Sequence, residues 1–109
     1  MSLFRRKKAP GTAPVSRAAQ NEALDHLRQF VATRVGVEAY IEPPTNQIQT
    51  TLLLIATTGE WTRRKVADAR VARQMAADLG IPVYDVNFTG YPQRMRDWDE
   101  ARRREAKRR

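Results

Sequence analysis

Residues 61–65, Trp-Thr-Arg-Arg-Lys, are the stretch whose residue types and spacing come closest to a chemical function. In an extended strand, alternation sends Trp61, Arg63 and Lys65 to one face, where Tyr40 and Tyr84 from neighbouring strands can join them. An aromatic ring beside guanidinium groups on an open sheet can stack an unpaired base and neutralise phosphates. The competing reading makes Trp61 a hairpin core residue, with the basic side chains lying over the sheet and their heads in water. The segment at 50–56, Thr-Thr-Leu-Leu-Leu-Ile-Ala, favours the second reading, because it is apolar on both alternating faces and needs cover on each. Tyr91, Met95 and Trp98 have the spacing to supply that cover.

Other chemistries find little support. His26 is the only histidine and there is no cysteine, so a zinc cluster of the usual kind cannot be built. As a general base His26 would need an orienting carboxylate, for which Glu22, one helical turn earlier, is available; a structural or solvated role is the expectation. Asp85, Asp97, Asp99 and Glu100 have no loop spacing for a hard cation, and the arginines around them are better partners. The five glycines, at 11, 36, 59, 80 and 90, stand isolated, which leaves no glycine-rich turn for a nicotinamide or flavin cofactor. No cofactor and no enzymatic role are expected.

Charge is more informative. Residues 1–17 carry five bases and no acid (+5), residues 94–109 eight bases and four acids (+4), and the 76 residues between them seven bases and eight acids (−1), which together make the net +8. Two basic ends on a neutral body attract a polyanion, because neutralised phosphates release counterions whatever the nucleotide sequence. The expected contacts are Arg5, Arg6, Lys7 and Lys8 at one end, Trp61, Arg63, Arg64 and Lys65 in the basic strand, and Arg102, Arg103, Arg104, Lys107, Arg108 and Arg109 at the other. The expected partner is nucleic acid, RNA or ribosome before DNA. The alternative is a protein-interaction adaptor binding an acidic partner through the same ends, or adding a strand to a sheet edge.

The elements that must position these residues are legible in order. The first 15 residues, with Pro10, Gly11 and Pro14, form a disordered basic arm. Ser16 caps a helix to about Val35, whose stripe is Ala23, Leu24, Leu27, Phe30 and Val31, with Arg34 in the last turn and Gly36 closing it. Strands follow at 37–42, 50–56 and 61–66, the last two joined by a turn at Thr58-Gly59. Asp68 caps a second helix that Gly80-Ile81-Pro82 ends. Residues 81–86 read as a fourth strand, and Pro92 suits the first turn of a final charged helix. The reading is one α+β domain over 16–98, a small mostly antiparallel sheet with two helices packed on one face (α-β-β-β-α-β), plus a basic helical tail at 99–109.

The α-β-β-β-α order over residues 16–80 resembles the double-stranded RNA-binding domain. That family carries a basic cluster at the start of its second helix, whereas here Arg63-Arg64-Lys65 fall in the preceding strand. The segment from Gly59-Glu60-Trp61 through residues 80–98, GIPVYDVNFTGYPQRMRDW, is similar to a set of short basic proteins of high-GC Gram-positive bacteria, nearly along the whole chain. The longest apolar run, Leu52–Ala56, is far short of the roughly 20 residues of a membrane span. The opening MSLFRRKKAP lacks an apolar core after its basic residues, so no secretion signal and a cytoplasmic address are expected.

Overall fold

A strand that is apolar on both faces has to sit in the middle of its sheet, and Thr51–Ile55 (β2) does so with all five residues buried. The computed structural model of the protein describes residues 15–108; all of the expected arm but Val15, with Arg5, Arg6, Lys7 and Lys8, and also Arg109, lie outside them. Glu38–Glu42 (β1) and Trp61–Lys65 (β3) pair antiparallel with β2 on either side. Val83–Asp85 (β4) adds to the far edge of β1, parallel to it, for a strand order β3-β2-β1-β4.

One face of this sheet is covered by Arg17–Thr33 (α1) and Ala69–Leu79 (α2). Leu27 and Phe30 of α1 and Ala72, Met75 and Ala76 of α2 pack on Ala39, Ile41, Leu52 and Leu54, whose side chains point to that side by alternation. The caps are the expected ones: Ser16 Oγ accepts from the Ala19 N–H at 3.0 Å, and Asp68 Oδ1 from the Val71 N–H at 2.8 Å. Gly80 takes the left-handed conformation (φ 71°), and Ile81 donates back to the Ala76 carbonyl at 3.1 Å, which ends α2 in a hydrogen-bonded C-cap.

The opposite face holds a second, smaller core of Tyr40, Leu53, Ile55 and Met95, with Trp61 packed against it. Its lid is Gln93–Lys107 (the final helix), which follows a four-residue helical turn at Val86–Thr89. In chain order these two are α4 and α3. Gly59, in the β2–β3 turn, has φ 95°, and a Cβ there would lie 2.1 Å from the Arg94 carbonyl oxygen. The helix backbone therefore rests directly on the hairpin, an approach only glycine permits.

Three details depart from the sequence reading. Helix α1 stops at Thr33, because Arg34 turns extended (φ −125°, ψ 162°) so that its guanidinium reaches Glu60 and lies 4.7 Å over the Phe30 ring. β4 is three residues long, since its last residue, Asp85, also caps α3, accepting from the Asn87 N–H at 2.8 Å. Pro92 is the N-cap of α4 rather than a residue of its first turn. As expected, a single final helix follows Pro92 and runs across Trp98 and Asp99. Among the described residues no helix is long and apolar enough to cross a membrane.

Candidate nucleic-acid interface

Register places Arg63, Leu53, Tyr40 and Tyr84 in one row across the second face, with the two tyrosine rings 5.4 Å apart. Arg63 is engaged within the fold. Its Nε and Nη2 donate to Glu42 Oε1 and Oε2 at 3.0 and 2.9 Å, and its guanidinium lies 4.7 Å over the Trp61 ring. Glu42 also accepts from Thr51 Oγ1 and from the Tyr91 hydroxyl, both at 2.6 Å. Burial alone would push the Glu42 carboxyl up, but the bonds from Arg63, Thr51 and Tyr91 outweigh it and hold the group below the usual carboxylate range. By the same contact, burial and the bond to Glu42 push the Tyr91 phenol up to about 12.

Trp61 is half-buried beneath α4, and its Nε1 donates to Asp99 Oδ1 at 2.8 Å. The ring is a hairpin core residue under a helical lid, and the Arg63 guanidinium lies over its face. The lid is fixed from a second direction by Arg94, whose Nε donates to the Ala56 carbonyl at 3.0 Å and whose Nη2 donates to Glu38 Oε1 at 2.7 Å. Glu38 also accepts from the Tyr40 hydroxyl at 3.0 Å.

On the other face of β3, Thr62 Oγ1 meets His26 Nε2 at 2.7 Å, and Arg64 reaches toward Glu22 at 3.6 Å. Burial and the Arg64 charge, only partly offset by Glu22, lower the His26 pKa, which keeps the ring neutral at pH 7. Its partner is thus a hydroxyl, not a carboxylate. The acids considered for a cation are separately engaged. Asp85 caps α3, Asp97 accepts from Gln93, Asp99 accepts from Trp61, and Glu100 lies 3.5 Å from Arg104. Among the described residues no three His, Cys, Asp or Glu side chains are grouped to hold a metal ion.

The remaining sequence-predicted cations fall into two groups at opposite ends of β3. At its C-terminal end, exposed Lys65 and partly exposed Arg64 border a groove that Val15 and Ser16 also line, so the chain preceding α1 enters the body there. At its N-terminal end, Arg102 of α4 joins Glu60, Trp61 and Trp98 around a shallow depression of about 310 Å³, with its guanidinium 5.8 Å from the Trp98 ring. Four residue steps at about 3.3 Å separate Trp61 from Lys65, a distance of about 13 Å. Beyond Glu100 every described residue of α4 is exposed, so Arg102, Arg103, Arg104, Lys107 and Arg108 ride on a helical extension about 12 Å long, with Arg102 touching the body at the Trp98 ring.

Sequence reasoning missed the internal duties of Glu42, Arg34 and Arg94. Their distant partners lie between 9 and 56 residues away, and only the alternation that puts Glu42 on the face of Tyr40 hinted at one of them. Comparison of the chain with known protein families, with curated proteins and with solved structures gave no match.

Proposed function

We propose that the protein is a small non-enzymatic nucleic-acid-binding accessory protein, RNA or ribosome before DNA, that holds the phosphate backbone through its two basic ends and the edge of β3. The observation that carries this reading is the distal half of α4: five cations against the single acid Glu105, on a helix whose residues 101–108 are all exposed. A helical segment so exposed gains little from its own propensity and a few i,i+4 pairs, so its charged rather than apolar composition suits a charged surface rather than a core. Lys65 and Arg64 extend the cationic strip along β3 to a groove lined by Val15 and Ser16, and Arg5, Arg6, Lys7 and Lys8 are proposed to add to it. Arg63 contributes through Trp61 and Glu42 to the scaffold and stands second to Lys65 as a phosphate ligand. The expected contacts are made to phosphates, which fix position without reading sequence.

The reading is tested by affinity purification with and without nuclease. The protein should carry RNA, lose it at moderate salt, and lose its partners on nuclease treatment. The adaptor reading draws support from Phe88, which is 88% exposed on α3 between the partly exposed Tyr84 and Tyr91. An adaptor would keep one defined protein partner after nuclease.

A further inference from the structure

A groove of about 730 Å³ lies between the first turns of α1 and the C-terminal end of β3. The methyl groups of Ala19 and Ala23 and the side chain of Ile48, itself 52% exposed, supply an apolar floor. Arg64 and Lys65 stand on its rim. Neither cation has a close carboxylate: Arg64 donates to the Arg63 carbonyl at 3.0 Å and its nearest acid, Glu22, is 3.6 Å away, while Lys65 is exposed. Two acceptors face the same space. Gln49 Nε2 donates to the Val66 carbonyl at 3.1 Å, which leaves its Oε1 to accept, and the Glu22 carboxylate is 65% exposed.

Resting on the phosphate-binding reading, we infer that this groove is a pocket for one unpaired nucleotide whose base carries an exocyclic amino group. Three demands have to be met together: an anion for Arg64 and Lys65, a flat apolar body for the floor, and an N–H donor for Gln49 and Glu22. A nucleotide with a cytosine, adenine or guanine base meets all three, and carboxylate side chains are natural acceptors for such amino groups. Uracil offers only its ring N3–H, flanked by two carbonyl oxygens that the Glu22 carboxylate and Gln49 Oε1 repel, so it meets the donor demand poorly. The volume falls within the range of small-molecule sites and exceeds that of a single base, so the sugar and its phosphate fit beside it. The groove also lies on the cationic strip, where a bound strand would pass.

The test compares fluorescently labelled 12-mers of oligo-C and oligo-U RNA, bound to the full chain at fixed salt and read by anisotropy. One amino-group hydrogen bond at a partly exposed site predicts about fivefold tighter binding of oligo-C. Ala19→Trp fills the groove without changing charge, and should reduce oligo-C to the oligo-U affinity while leaving oligo-U within about twofold. Ala19→Leu serves as a milder second variant, with thermal melts confirming that both fold. Equal binding of the two oligomers by the unaltered protein would overturn the pocket and leave the phosphate reading standing. An equal loss for both oligomers in Ala19→Trp would do the same. Absence of salt-sensitive binding to either would overturn the phosphate reading, and the pocket with it.

Discussion

Replacing Glu42 should move stability and nucleic-acid affinity in opposite directions. Each carboxylate oxygen accepts two bonds: Oε1 from Thr51 and Arg63 Nε, Oε2 from Tyr91 and Arg63 Nη2. Glu42→Gln keeps one acceptor oxygen and turns the other into a donor, which loses two bonds. Bonds to charged groups contribute about 1.5–3 kcal/mol, but the Arg63 side chain is 40% exposed and Tyr91 37%, so water recovers part of that, leaving about 1 kcal/mol each. The expected cost is about 2 kcal/mol, or a fall in Tm of about 10 °C for a domain of this size. Glu42→Ala removes all four bonds and strands the hydroxyl of Thr51, itself 6% exposed, for a cost of about 4 kcal/mol. Urea titrations should show the midpoint falling in the order wild type, Gln, Ala, with an unchanged m-value. Either substitution also releases Arg63 from its internal carboxylate and raises the net charge from +8 to +9. The slope of log K against log salt for single-stranded RNA should steepen by about 0.7. If both variants lie within about 0.5 kcal/mol of wild type, the Glu42 hub carries no weight and the account of the second face is wrong.

Gly59→Ala should cost at least about 3 kcal/mol, because a positive φ and a contact 2.1 Å from the Arg94 carbonyl together force α4 off the hairpin; loss of the near-ultraviolet tryptophan signal checks it. Asp99→Ala removes the acceptor for Trp61 Nε1 and should cost about 1 kcal/mol, with an upfield shift of that indole N–H resonance in NMR spectra. Acidification should destabilise the fold in two stages. The folded pKa of His26 lies below 6.5, so its contribution is present above that value and is lost as pH falls through the folded pKa. Glu42 and Glu60 are held below 4.5, Glu60 chiefly by its bond from Arg34, and their contributions are lost further down; thermal melts from pH 7 to 3 follow both stages. In alkali the sign reverses, since Tyr91 stays protonated up to about 12, and its contribution fades between pH 10 and that value. Ending the chain after Glu100 should leave Tm within about 2 °C, because residues 101–108 are all exposed, with Arg102 touching the body over the Trp98 ring.

Much of this fold is written in local patterns. Ser16, Asp68 and Gly80 act through neighbours within four residues, and a short-range rule suffices to find them. The two-faced apolarity of β2 announced a second layer, and the spacing of Tyr91, Met95 and Trp98 named the segment that supplies it. The site was less legible for a physical reason. Alternation tells which face Arg63 occupies, but not that Glu42, 21 residues earlier, answers its charge. In the same way, Arg34 looked like a helix-ending cation because its partner Glu60 comes from a turn 26 residues on. The parallel pairing of β4 with β1 spans the whole β2–β3–α2 excursion, and no local residue encodes it. Cations counted along the chain were therefore of two kinds, those committed to the fold and those left exposed, and only the tertiary structure separates them.

The central claim is that the exposed cations of Lys65 and the distal α4, not the internally paired Arg34, Arg63 and Arg94, face phosphate. It is tested most directly by the salt dependence of RNA binding for the intact chain and for a variant with Lys65, Arg102, Arg103, Arg104, Lys107 and Arg108 changed to glutamine. The account predicts a shallower slope, by several units of log K per log salt, and loss of measurable affinity at about 0.15 M salt, with the melting temperature unchanged. A variant that binds with the same slope and affinity as the intact protein would contradict it.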